Sequence, residues 1–169
     1  VCVVPGPVAA ASALAVSALS TSRFAFEGFL SVAKKQRYAH LESVAKDTHT
    51  LIFYEAPHKL KTTLEDMLKY LGDRKISICR ELTKVYEEVI RTTLSEAVKY
   101  YEDVNPKGEF VLIVEGYTPP AVAEGLTEND AADIARKLIS EGMKPSDACK
   151  EAAKQTGFKK SDIYRIINE

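Results

Sequence analysis

The chain has 169 residues, 46% of them hydrophobic, with 23 Lys and Arg against 24 Asp and Glu and a formal net charge of -1. That length suits one well-buried domain with a small appendage, and the near-zero charge excludes bulk attraction to nucleic acid or a membrane surface, so any such contact must be local. The three cysteines, Cys2, Cys79 and Cys149, lie far apart, offer neither a zinc spacing nor a disulfide framework, and fit a reducing cytoplasm.

In chain order, Val1-Cys2-Val3-Val4 reads as a buried strand running straight into Pro5-Gly6-Pro7, with no methionine before it, which predicts a chain that begins inside a larger protein. Val8 to Leu19 is alanine-rich and predicts a helix buried on most sides. It has no basic flank and is too short to span a bilayer, so it is not read as a signal sequence or a membrane span. Phe24 to Phe29 alternates as a strand does. Lys34 to Lys46 is a polar helix with a thin apolar stripe at Tyr38, Leu41 and Val44. Leu51 to Tyr54 is a strand, and Pro57 to Leu71 a helix with Leu60, Leu64, Met67, Leu68 and Leu71 at helical spacing, closed by Gly72.

Ile76 to Cys79 is the next strand, Glu87 to Thr92 an edge strand, Leu94 to Tyr101 a helix, and Phe110 to Glu115 the most apolar strand of the chain. Gly116 to Pro120 opens a linker. Beyond it, Thr127 or Asn129 caps a helix running to Ile139, a second helix runs from Lys144 to Gln155, and Ser161 caps a third ending near Ile167. Alternating strands and helices predict an α/β fold with a mixed sheet over 1–117, a linker over 118–126 and a small three-helix domain over 127–169.

Two strands end in charged residues: Leu51-Ile52-Phe53-Tyr54 in Glu55-Ala56-Pro57-His58, and Ile76-Ser77-Ile78-Cys79 in Arg80-Glu81-Leu82-Thr83-Lys84. Open α/β sheets bind ligands at their strands' carboxyl ends, so the two sets suggest one shared cleft. Glu55 can hold a hydroxyl and His58 exchange a proton near neutral pH; the alternative is helix capping. Arg80, Glu81, Thr83 and Lys84 can bind a phosphate or carboxylate, or form an internal salt bridge. Pro5-Gly6-Pro7-Val8-Ala9-Ala10 is either a turn that lets backbone approach a cofactor or an ordinary turn. Lys34, Lys35 and Arg37, with Arg23 upstream, form a basic patch that suits an RNA backbone as well as a solvated helix face. Basic residues in the terminal bundle are matched by acidic ones, with Tyr164-Arg165 a remaining candidate contact. No metal-ligand spacing is present.

Pro5-Gly6-Pro7, Arg23-Phe24 with Glu27-Gly28-Phe29-Leu30, the Leu51 to His58 run, Arg80 to Lys84 and Gly108-Glu109-Phe110-Val111-Leu112 occur in one order and spacing. In these five motifs the chain resembles the C-terminal part of the ribosomal RNA small subunit methyltransferase I family, within the tetrapyrrole methylase superfamily. The resemblance covers residues 1 to about 117 and continues into a small helical domain.

It implies a 2′-O-methyltransferase that uses S-adenosylmethionine on a cytidine ribose of small-subunit ribosomal RNA, a homodimer, a cytoplasmic location and no metal. It also implies a cofactor cleft between two α/β domains, the first of which this chain lacks. On that reading Glu55 and Glu81 orient or deprotonate the hydroxyl, with Lys84 and His58 next. Pro5, Gly6, Val8, Ala9, Tyr54, Phe110, Val111 and Leu112 line the cofactor pocket, and Lys34, Lys35, Arg37 and Arg80 meet RNA. Val8 stands where the family often has serine or cysteine, so contacts there would use backbone and the small Ala9 and Ala10. Two other readings are a tetrapyrrole C-methyltransferase and a non-catalytic dimerisation and RNA-binding half.

Overall fold

The computed structural model describes Cys2, residues 5–119 and residues 126–168. The expected strand at Val1 to Val4, apart from Cys2, and most of the expected linker lie outside the described residues. The chain divides into two compact units, Val1–Tyr117 and Thr118–Glu169.

The first unit runs α1 (Ala9–Val16), β1 (Phe24–Phe29), α2 (Lys34–Ser43), β2 (Thr50–Glu55), a single 3-10 turn (Pro57–Lys59), α3 (Leu60–Leu71), β3 (Lys75–Arg80), β4 (Glu88–Thr93), α4 (Leu94–Asp103) and β5 (Phe110–Val114). The strands form one sheet in the order β1-β2-β5-β3-β4. β1 and β2 pair in parallel, while β5 runs antiparallel to both β2 and β3, and β4 antiparallel to β3. It follows that β1, β2 and β3 all point the same way, and their carboxyl ends share one edge of the sheet with the start of β5.

Period-two alternation decides which side each strand residue serves. Leu51 and Phe53 of β2, with Ile76, Ile78, Leu112 and Val114, face the layer of α2, α3 and α4 and meet Leu41, Leu60, Leu64, Met67 and Leu94 in the main core. Each such fully buried side chain contributes about 2 kcal/mol of hydrophobic stabilisation. Ile52, Cys79, Val111 and Ile113 face the other way, onto Ala10, Ala13 and Leu14 of α1. α4 is started by a reciprocal capping box, Thr93 with Glu96.

α1 departs from expectation. It is eight residues long and buries Ala10, Ala13 and Leu14 while leaving Val8, Ala11, Ser12, Ala15 and Val16 exposed. The reason is that this helix alone covers its side of the sheet among the described residues, so its outer side meets no further layer. Ser17, whose hydroxyl donates to the Leu14 carbonyl at 2.8 Å, and Ala18, at φ +62, end it early. Phe24, Phe26 and Phe29 of β1, together with Val32, are also exposed.

The second unit holds α5 (Glu128–Ser140), α6 (Pro145–Thr156) and α7 (Lys160–Asn168) around Ala131, Ala135, Ala148, Cys149, Ala152 and Ile163. Thr127 and Asp130 form a capping box at the start of α5. No helix among the described residues is long and apolar enough to cross a membrane.

Candidate functional site

Glu55, the last residue of β2, and Arg80, the last of β3, are both register partners of Phe110 at the start of β5. The two charged strand ends therefore flank one strand and lie roughly 10 Å apart, twice the strand spacing. A cavity of about 490 Å³ opens at this edge. Tyr54, Phe110 and Val111 contribute from the strands, Phe29 from the end of β1, Ala9 from the first turn of α1, and Pro57 from the 3-10 turn; Glu55 and Glu109 are its carboxylates. That volume and its mainly apolar wall fall within the range of small-molecule sites.

A skip in the β1–β2 register between Phe26 and Gly28 brings Phe29 opposite Tyr54. The Tyr54 ring then meets Phe26 at 5.0 Å and Phe29 at 5.5 Å between centroids. Its hydroxyl accepts the N–H of Ala10 at 3.2 Å. That N–H is one of the four donors a helix start leaves without a helical partner, so Tyr54 ties α1's first turn to the cleft.

Glu55 lines the cleft but is only 3% exposed. One carboxylate oxygen accepts the Ala56 N–H at 2.8 Å, the other accepts the Thr63 hydroxyl at 2.6 Å, and Lys59 Nζ lies 3.8 Å away. The carboxylate thus fastens the end of β2 to α3 through a side-chain hydroxyl, and it caps neither the 3-10 turn nor α3, whose starts have no side-chain cap. His58 is exposed on the turn and makes no hydrogen bond among the described residues.

Glu81 lies in a neighbouring recess of about 370 Å³ with Arg80, Tyr86, Lys107 and Gly108. Its backbone, at φ +50, is left-handed, as is that of Thr83 at φ +66; non-glycine residues hold such angles only where surrounding contacts impose them. Here the Glu81 N–H donates to the Glu109 carbonyl at 3.0 Å, and Glu81 Oε1 accepts the Glu109 N–H at 2.9 Å. Lys84 Nζ completes the knot at 3.0 Å from Glu81 Oε1 and 3.0 Å from Glu109 Oε2. Glu109 therefore joins recess to cleft. Arg80 Nε is 3.2 Å from Glu88 Oε2, close enough for an ion pair but misaligned for a hydrogen bond, and has no other partner among the described residues.

The Glu109 N–H, and after it Lys84, hold the Glu81 carboxyl below the ordinary glutamate value of 4.5, while Glu81 and Glu109 push the Lys84 ammonium up. A depressed carboxyl pKa adds stability that is present above the unfolded value and lost as pH falls through the folded one. The Lys84→Met variant is expected to raise the Glu81 pKa towards 4.5 without abolishing the shift, because the backbone donor remains. Carbon-detected NMR titration checks this; an unmoved Glu81 would remove Lys84 as a cause.

Of the other residues singled out in the sequence, Ala9, Tyr54, Phe110 and Val111 reach the cleft. Pro5, Gly6 and Val8 are exposed ahead of α1 and are not among its lining residues. Leu112 does not join them: alternation along β5 turns it to the opposite face, into the main core. Lys34 and Lys35 are exposed at the start of α2, just beyond the end of β1. Arg37, read as a phosphate contact, instead donates from Nε to Asp66 Oδ2 at 2.7 Å and from its terminal nitrogen to the Ser31 and Val32 carbonyls, so its fork is taken up inside the fold. Phe29, Pro57 and Glu109 were not singled out as site residues. Glu109 had a signal, its place immediately before the most apolar strand, where the antiparallel β5 enters the sheet at the ligand edge.

A sheet whose parallel strands end at an apolar, small-molecule-sized cleft beside a helix start is a ligand-binding α/β fold. The chain belongs to the tetrapyrrole (corrin/porphyrin) methylase family, whose model matches residues 1–98. A second model, the RsmI C-terminal HTH domain, matches residues 127–168. Proteins named ribosomal RNA small subunit methyltransferase I are similar along almost the whole chain. That of Halalkalibacterium halodurans is 45% identical over 98% of this chain and 58% of its own length. The Synechocystis protein is 39% identical over 98% and 60%, and the Bacillus subtilis protein 42% identical over 95% and 56%. The chain thus spans about three fifths of the length of these curated relatives.

Proposed function

We propose that this chain is part of a methyltransferase that moves a methyl group from S-adenosylmethionine to the ribose 2′-hydroxyl of a cytidine in small-subunit ribosomal RNA. The observation that carries the reading is the joining, in one chain, of a methylase-family cleft to a terminal unit that matches the RsmI C-terminal HTH domain. A tetrapyrrole substrate would leave that second unit without a purpose.

The cleft suits the cofactor. Phe29, Tyr54 and Phe110 offer aromatic surface for a planar base, and the small Ala9 leaves backbone accessible. When bound, the sulfonium supplies an activated methyl group with its own leaving group. The chain's part is then to hold the hydroxyl in line, exclude water and accept one proton.

Glu55 and Glu109 are the carboxylates at the cleft, with His58 on the adjoining turn. Glu81 in the next recess and Lys84, between Glu81 and Glu109, act as positioning residues. Lys34, Lys35 and Arg80 take RNA phosphates around this edge. A second copy of the chain belongs to the same reading, covering the exposed Phe24, Phe26, Phe29 and Val32, and the location is cytoplasmic.

The test is transfer of a labelled methyl group to small-subunit ribosomal RNA by the chain extended to the full length of its relatives, followed by digestion and mass spectrometry. The expected product is 2′-O-methylcytidine. A base-methylated nucleoside would refute the ribose assignment, and label in a tetrapyrrole alone would refute the RNA substrate.

A further inference from the structure

The terminal unit carries a feature that the cleft does not use. α6 ends at Gly157, whose φ of +80 closes the helix in the left-handed region, and α7 opens at Lys160 after only Gly157, Phe158 and Lys159. Two packed helices joined by so short a glycine-containing turn form the helix-turn-helix pattern, in which the second helix is the one presented to nucleic acid. α7 is anchored through Ile163, which is fully buried in the unit's core. That anchor fixes the face left outside.

Ser161, Tyr164, Arg165 and Asn168 are all exposed. They recur at intervals of three and one and so make a single stripe, with Lys159 and Lys160 exposed at its head.

Charge is segregated along this unit although its totals nearly balance. Between Lys150 and Asn168 there are five basic residues, Lys150, Lys154, Lys159, Lys160 and Arg165, against two acidic ones, Glu151 and Asp162. None of the five has an ion-pair partner among the described residues; the unit's one ion pair there is Arg136 with Asp133 on α5. Acidic side chains gather at the start of α5 instead, where Asp130 is occupied by the capping box. Tyr164 is 45% exposed and no other aromatic ring packs on it among the described residues.

We propose that the outer face of α7, from Lys159 and Lys160 through Tyr164, Arg165 and Asn168, is a second RNA-binding surface, distinct in sequence from the methyl-transfer cleft. The proposal rests on the reading that the substrate is ribosomal RNA. The A-form major groove is too deep and narrow to admit a helix, so α7 does not read base pairs as a DNA-binding helix does. Its cations take backbone phosphates, and Tyr164 stacks an unpaired base from a loop or bulge. The surface holds substrate; chemistry is left to the cleft.

Fluorescence anisotropy of the 169-residue chain tests this, with a labelled RNA hairpin carrying a single-stranded loop and a duplex DNA as probes, each over a range of salt. Neutralising two cations in the Lys160→Gln, Arg165→Gln double variant is expected to weaken hairpin binding several-fold at low salt. It should also flatten the slope of log affinity against log salt by about 1.4, at ~0.7 for each phosphate no longer neutralised. Tyr164→Ala is expected to weaken binding five-fold or more with an unchanged slope, since stacking releases no counterions.

All three side chains are exposed, and thermal melts of the variants check that the fold is kept. Unchanged affinity in both variants, or tighter binding of the parent chain to duplex DNA than to the hairpin, would overturn the proposal. So would the absence of any hairpin binding by the parent chain. Methyl transfer is read separately, in the assay above. A chain that binds the hairpin through α7 yet transfers no methyl group would sink the catalytic reading and leave this one standing.

Discussion

Glu55→Ala is expected to lower the stability of the α/β unit by about 3 kcal/mol, whereas Glu55→Gln is expected to cost about 1 kcal/mol. Alanine deletes both acceptors at a site that is 3% exposed, leaving the Ala56 N–H and the Thr63 hydroxyl without partners. Each unsatisfied buried donor costs about 1–3 kcal/mol, and bonds to a carboxylate lie at the upper end of hydrogen-bond strength. Glutamine keeps an oxygen for the Ala56 N–H, and the Thr63 hydroxyl can rotate to accept from the new amide. Urea denaturation gives both values, and the alanine variant should melt roughly 10 °C lower.

The pair also separates two roles. Should Glu55 accept the proton in methyl transfer, the glutamine variant loses activity while keeping most of its stability. If it keeps activity, Glu55 is the fastener between β2 and α3 and nothing more. Equal destabilisation by both substitutions would contradict the hydrogen-bond geometry itself.

What the sequence made legible follows from periodicity. β2 and β5 are so uniformly apolar, and α3 so regular at Leu60, Leu64, Met67 and Leu71, that local pattern and burial agree. The shared edge of β2 and β3 was legible too, because both strands stop in charge. Strand order was not. β5, last in sequence, inserts between β2 and β3, and no local signal records a long-range insertion.

That insertion puts Glu109 at the cleft and divides the two charged strand ends between separate recesses. The outer side of α1 was misjudged for a related reason: composition cannot say how many layers cover a helix. Arg37 shows the opposite limit. In sequence it sits in a basic run, but Asp66, on α3, claims it across 29 positions of chain. A charged patch counted along a helix overstates the cations it offers to a ligand.

Gly108→Ala is the second large effect, expected to cost about 3 kcal/mol by two separable routes. Gly108 sits at φ +93, where an L side chain is strained by about 1–2 kcal/mol. A β-carbon there would also fall 2.5 Å from Glu81 Cγ and 2.8 Å from its Cδ. Glu81 cannot simply swing aside, because Lys84 and the Glu109 N–H hold its carboxylate. In a Glu81→Ala background the overlap vanishes and only the backbone strain remains, so the same glycine substitution should cost about half as much. A double-mutant cycle by urea denaturation measures the difference as a coupling of about 1–2 kcal/mol. Strict additivity would mean that Glu81 relaxes freely and that its left-handed backbone is not imposed by the knot. Because Glu109 both donates to Glu81 and lines the cleft, displacing Glu81 should reach whatever the cleft holds: if that is the S-adenosylmethionine proposed above, its affinity is expected to fall several-fold in Gly108→Ala. Calorimetric titration reads this directly, and an unchanged affinity would show that recess and cleft act independently.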